Sequence, residues 1–199
     1  MKQVYRVFWG CTLAAALALT GCGRGSASGP MNSGSSGSTS GQEQAWRTGL
    51  GVVTEAAGSD RAGKITTAAA AVVLDADGRL ADVMLDELEI SISAGSTGAV
   101  TTPEDVRSKR TKGADYPLAA ASSLGKGWAE QADWFADYLT GRTPDEVKKL
   151  KTDADGKPQD ADLVSGCTIA VDRYRDAVVR ACEQAKALGA AQGDRVTLS

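Results

Sequence analysis

The chain contains no histidine. Histidine is the commonest general base near neutral pH and the commonest metal ligand. Its absence excludes a Ser-His-Asp or Cys-His hydrolase and any histidine-based zinc site. Concentrated positive charge is also missing. The 22 lysines and arginines face 25 acidic residues, a formal net charge of −3, and no basic stripe is interleaved with aromatics. Nothing in that pattern attracts a phosphate backbone, so no nucleic-acid partner is expected. Cysteine is sparse, with Cys11 and Cys22 near the start and Cys167 and Cys182 near the end. A helix starting just past Cys167 is expected to carry Cys182 about three turns on. At ~5.4 Å per turn that exceeds the span of a disulfide unless the chain folds back. Two free, buried thiols are the expectation.

Long apolar runs are absent as well. The main stretch, Val7 to Leu19, follows Lys2 and Arg6 and is too short to span a bilayer comfortably. A charged start, a short apolar stretch and small residues before a cut site describe a secretory signal peptide. The stretch closes on Leu19-Thr20-Gly21-Cys22, which resembles the lipobox of bacterial lipoproteins. The resemblance implies a signal peptide over 1–21, cleavage before Cys22, and acylation of the Cys22 thiol and new amino group. The protein is then expected on the extracytoplasmic face of the cell membrane, anchored in lipid without spanning it. An ordinary secretory peptide with an incidental cysteine is the alternative. Cleavage would remove Lys2 and Arg6 and no acid, leaving −5. Anionic headgroups repel that charge, so the acyl chains must do the anchoring.

Residues 23–41 are nearly all Gly and Ser. Such a composition cannot bury apolar surface and is expected to be a flexible coil with a reach of roughly 25 Å. We therefore expect a linker over 22–44, one domain over 45–188 and a frayed tail over 189–199.

The first half of the domain reads as strand. Thr48 to Thr54 is a short glycine-containing strand, and Lys64 to Leu74 is longer and rich in Ala, Val, Ile and Thr. Asp75-Ala76-Asp77-Gly78 supplies turn chemistry; it resembles part of a calcium loop but lacks the distal glutamate. Arg79 to Ile92 resumes with period two: Ala81, Val83 and Leu85 on one face, then Leu88, Ile90 and Ile92. Asp82, Asp86, Glu87 and Glu89 are expected on a solvated face. Residues 93–124 read as a long polar loop of the kind that is often functional.

The second half reads as helix. Trp128, Ala132, Phe135 and Leu139 recur at helical spacing, giving a helix over 126–139. Thr143-Pro144-Asp145-Glu146 is a capping box with proline in the first turn, opening a short helix to Leu150. A third helix is expected over 172–188, with Asp172 as its cap. Strands first and helices last, with no βαβ alternation, give α+β: an antiparallel sheet packed by three helices.

One segment carries chemistry. Asp162-Leu163-Val164-Ser165-Gly166-Cys167-Thr168 concentrates small and hydroxylated residues where a strand is expected to turn into the last helix. Small residues let the backbone approach a ligand, and free amides at a helix start attract anions. Asp-x-x-Ser-Gly-x-Thr before an Ala/Val-rich helix resembles the flavinylation motif of FMN-binding domains, found in respiratory complex subunits and in exported electron-transfer lipoproteins. The order of Thr48-Gly49-Leu50-Gly51, the Asp75–Gly78 hairpin, Thr111-Lys112, Asp115-Tyr116, Gly125-Lys126-Gly127-Trp128, Glu130-Gln131 and Gly141-Arg142-Thr143 before Asp145-Glu146-Val147 is similar to the lipoprotein members over residues 45–188.

The resemblance implies that a flavin transferase moves FMN from FAD onto Thr168 as a phosphoester. Asp162, Ser165 and Gly166 match the other fixed positions. Cys167 replaces the more usual alanine, and Ala170 and Val171 stand where a second hydroxyl is frequent. The implied protein is an electron carrier fed by a membrane donor, not an enzyme with its own turnover. Isoalloxazine supplies the redox chemistry, so a chain without histidine or metal suffices. Trp128 and Tyr116 are candidates to wall the ring, as are Trp134, Phe135 and Tyr138, although such a stripe also reads as core. Lys126 reads either as a phosphate contact or as a solvated lysine. Thr168 itself has a plain alternative, a hydroxyl bonded to nearby backbone. The alternative function is a lipid-anchored binding or structural module of the same fold without flavin.

Overall fold

A computed structural model describes residues 45–198. The expected signal peptide, Cys22 and the expected Gly/Ser linker lie outside the described residues. Strands β1 (Arg47–Ser59), β2 (Ala62–Leu74), β3 (Leu80–Ala94) and β4 (Val100–Thr101) form one antiparallel sheet in sequential order. Six helices follow among the described residues: α1 (Lys109–Lys112), α2 (Leu118–Ala121), α3 (Trp128–Leu139), α4 (Pro144–Lys148), α5 (Ala161–Val164) and α6 (Asp172–Glu183). The α+β class read from the sequence holds, with the helices gathered on one face of the sheet.

Local chemistry sets the corners. Asp75 Oδ1 accepts from the Asp77 and Arg79 N–H groups at 2.9 and 2.8 Å, and Gly78 takes φ +77°, closing the β2–β3 turn. The Thr143 hydroxyl accepts from Glu146 N–H while Glu146 Oε2 accepts from Thr143 N–H, the capping box expected for α4. The start of α6 differs: Val171 is the cap residue and Asp172 lies inside the first turn. The helix also stops at Glu183, after which Lys186 pairs with Thr48 of β1. The expected loop over 93–124 holds β4, α1, a 3-10 turn over Gly113–Asp115, and α2. Each is too short for a hydrophobic period to reveal. Residues 189–198 do not fray outward; Val196 N–H donates to Asp82 Oδ2 at 2.8 Å.

The core lies between the sheet and helices α3 and α6. Ala68, Ala70, Val72 and Leu74 of β2 and Val83 and Leu85 of β3 face Phe135, Leu139, Tyr174 and Val178. Helix α6 crosses β1 at very short range. A Cβ on Gly49 or Gly51 would stand 2.0 Å from the Ala181 or Ala177 carbonyl oxygen. Both glycines are therefore required for packing. Gly51→Ala is expected to cost about 2–3 kcal/mol, because the helix backbone must retreat. Urea unfolding measures this, and an unchanged midpoint would contradict the close approach.

The β3 pattern corrects one expectation. Register with β2 is unbroken from Ser93 to Asp82. Glu87 and Glu89 therefore share the helix-bearing face with Val83 and Leu85, and Glu87 is 1% exposed. Leu88, Ile90 and Ile92 point to the face that carries no helix.

Candidate functional site

The Asp162–Thr168 segment is not a strand. Asp160 caps the single turn α5, its Oδ1 accepting from Asp162 and Leu163 N–H. Leu163 is buried and anchors the turn. Gly166 and Cys167 donate their N–H groups back to Leu163 O, and Ser165 Oγ donates to Asp162 O at 2.7 Å. The chain then runs as a loop to α6, with Thr168 half-buried in it.

Two residues of α3 hold this loop. Gly166 lies against the Trp134 indole so closely that a Cβ would fall 2.0 Å from Trp134 Cδ2. Gln131 is completely buried. Its Oε1 accepts from Thr168 N–H at 2.9 Å and from the Thr168 hydroxyl at 3.1 Å. Its Nε2 donates to Ser122 Oγ and to Lys126 O, both at 3.0 Å. The amide so makes the four hydrogen bonds available to it. Because Thr168 N–H can only donate, that bond also fixes which way the amide faces. The Thr168 Oγ lone pairs stay unused by Gln131.

Lys126 Nζ sits 4.7 Å from the centroid of the Trp134 ring, and Trp134 is 40% exposed. Lys126 is thus a cation–π partner beside the loop, with no described contact to Thr168. Asp162 and Ser165 are exposed; Gly166 and Cys167 are buried. Burial pushes the Cys167 thiol up to about 11. It is neutral, unbridged and part of the core, as is Cys182.

The other candidates lie elsewhere. Trp128 is 1% exposed, so it has no open face to offer a ring. Its indole N–H donates to Tyr174 Oη at 3.0 Å, and the rings meet edge to face at 5.8 Å. Phe135 is wholly core. Tyr138 lies under the Arg142 guanidinium, 4.1 Å from its centroid. Tyr116 is half-buried beneath Lys109 Nζ at 4.7 Å, and no described contact joins it to the Thr168 loop.

Trp128 and Tyr116 instead flank a buried ionic cluster that the sequence reading missed. Tyr174 Oη donates to Glu87 Oε2 at 2.6 Å. Lys109 Nζ stands 2.6 Å from Glu87 Oε1, and Arg173 Nη2 3.6 Å from Glu87 Oε2. The signal was the parity of β3: a strand that buries Val83 and Leu85 also points Glu87 inward.

Burial, then the Glu87 charge, raises Tyr174 above the ordinary phenol value. For Lys109, burial works to lower the value, but Glu87 and Tyr116 outweigh it and raise the ammonium above 10.5. With Cys167 raised from 9.0, all three groups keep their protons in the folded chain where the unfolded chain gives them up. Their stabilisation is complete below the unfolded values and is lost as pH rises. Each proton removes about 1.4 kcal/mol per pH unit across its window. The urea midpoint is expected to fall from pH 9 as the Cys167 window opens, and more steeply above about pH 10.5, where Tyr174 and Lys109 add theirs; a slope that does not steepen there would contradict the cluster.

Among the described residues no group of acidic or cysteine side chains is arranged to hold a metal, and no helix is long and apolar enough to cross a membrane. A hollow of about 490 Å³ lies at the β1–β2 hairpin and is lined by none of the motif residues. No family model matches the chain, and comparison with curated proteins and with solved structures gives no match.

Proposed function

We propose that this chain is a lipid-anchored, extracytoplasmic flavoprotein that carries FMN on Thr168 and passes electrons from a membrane donor to an external acceptor. The observation that carries the reading is the pose of Thr168. Thr168 is half-buried and held by a buried Gln131 through main chain and side chain together, inside a loop with the Asp-x-x-Ser-Gly-x-Thr pattern.

The residues present fit a phosphoester there. Esterification replaces the hydroxyl proton by phosphorus and releases AMP from FAD. It forfeits one hydrogen bond to Gln131 and leaves the Thr168 N–H bond in place. Gly166 keeps the loop seated on Trp134, and the Lys126 ammonium beside that indole favours nearby negative charge. The flavin, when bound, supplies one- and two-electron chemistry. Gln131 then acts as a positioning residue. A covalent bond suits an exported carrier, which otherwise loses a weakly held cofactor to its surroundings. Acyl chains on Cys22 and the Gly/Ser linker would keep the domain near its donor.

One observation favours the flavin-free module. The Thr168 hydroxyl already has a satisfactory partner in Gln131, as a purely structural threonine would. Coexpression of the full chain with a flavin transferase separates the two readings. The carrier gives a yellow protein that fluoresces in a denaturing gel; the module stays colourless.

A further inference from the structure

Strand β1 is an edge strand, and its outer side is largely bare. Thr48 exchanges both main-chain bonds with Lys186 at 2.9 Å, and Arg180 Nη1 donates to Val52 O at 2.8 Å. These contacts show that even-numbered residues of β1 turn their main-chain groups away from β2, as alternation in an antiparallel ladder requires. Leu50, Thr54, Ala56 and Gly58 therefore also present N–H and C=O outward. Among the described residues none of these groups has a hydrogen-bond partner.

Beyond Thr48 and Val52, several of the usual protections of an edge are absent. The strand runs 13 residues in unbroken register with β2, with no proline, lysine or bulge along it. Its side chains on the helix-free face are apolar and accessible, Leu50 at 52% and Val52 at 40%, beside Ile65 at 42%.

We propose that two copies of this chain pair antiparallel through β1, on a two-fold axis at Thr54, so that their sheets become one. The side chains are matched for that register. Leu50 falls opposite Gly58, Val52 opposite Ala56, and Thr54 opposite its own copy; the Arg180 guanidinium that now holds Val52 O gives way to the N–H of residue 56 in the second copy. Large faces small on both sides of the axis, and no charge meets a charge on that face. This match arises when the strand meets itself, whereas the Gly/Ser segment preceding the domain has only Ala27, Pro30 and Met31 as apolar residues and no alternating run of them. Glu55 lies on the helix-bearing face, with Arg173 Nη1 3.1 Å away. The two Glu55 carboxylates that approach diagonally across the axis are thus each neutralised within their own copy.

The test uses the full chain in membranes with Thr54→Cys. Paired residues at such a site have Cα atoms about 5.5 Å apart, inside the range a disulfide tolerates, and the native Cys167 and Cys182 are buried. Mild oxidation is expected to give a covalent homodimer, about tenfold more than exposed Lys149→Cys gives, because pairing raises the effective thiol concentration. Adding Val52→Lys, an exposed change, is expected to abolish the dimer while the melting temperature holds. Three results overturn the proposal: no dimer above the control, a dimer that survives Val52→Lys in a protein that melts normally, or a crosslink to another protein.

Discussion

Thr168→Ala is expected to abolish covalent flavin completely, with the fold retained. The hydroxyl is the sole atom lost that could form the ester. The main-chain bond from residue 168 to Gln131 does not depend on the side chain. Removing the neutral Oγ–H···O contact at 3.1 Å costs about 1 kcal/mol, too little to unfold a domain of this size. Intact mass after coexpression with a transferase reads the result: full-length protein without the FMN increment, and no fluorescent band. Thr168→Ser keeps a hydroxyl and is expected to keep the adduct. Gln131→Leu gives the complementary result, since it leaves the hydroxyl present but untethered and strands the Thr168 N–H. Flavin incorporation is expected to slow, and the stability loss from the orphaned donor is about 1–3 kcal/mol. Undiminished fluorescence in Thr168→Ala would move the attachment elsewhere.

Glu87→Ala is expected to cost about 3–5 kcal/mol, because removing one member of a buried ion pair leaves the other charge poorly compensated. Lys109, with its side chain only a tenth exposed, would keep only the longer contact to Glu89 at 3.8 Å, and the Tyr174 hydroxyl would lose the acceptor it reaches at 2.6 Å. Trp128, whose indole N–H rests on that hydroxyl, would lose its orientation too. The cluster ties α1, β3 and α6 together, so the damage should not stay local. Replacing both charges, Glu87→Met with Lys109→Met, is expected to recover most of the loss, since a well-packed apolar pair avoids the desolvation cost. Urea unfolding of the two singles and the double gives the coupling energy. Additive losses would mean that the two charges do not interact across the core.

The helices and strands with strong periods were legible. Trp128, Ala132, Phe135 and Leu139 marked α3, and the Thr143/Glu146 box marked α4, because spacing and capping are local properties. Glu87 was misplaced because four acids in β3 look like a solvated face; its partners Lys109 and Tyr174 arrive from distant segments. The one-turn helices α1, α2 and α5 were invisible because each is shorter than the pattern that would reveal it. At the candidate site, Thr168, Ser165 and Gly166 stood out by composition. Gln131 did not, since a buried amide on an amphipathic helix has no sequence signature until its donors are known. Trp128 is a ring-wall candidate by its aromatic face alone, and its indole N–H goes to Tyr174 instead.

The central claim is that Thr168 is esterified by FMN in the cell. Protein extracted from native membranes can be digested with trypsin, which spares the Lys157–Pro158 bond and yields Thr152–Arg173 as one peptide. Its mass is expected to exceed that of the bare peptide by one FMN ester, with fragmentation placing the increment on Thr168. A peptide that is always unmodified, from cells that make the transferase, contradicts the account.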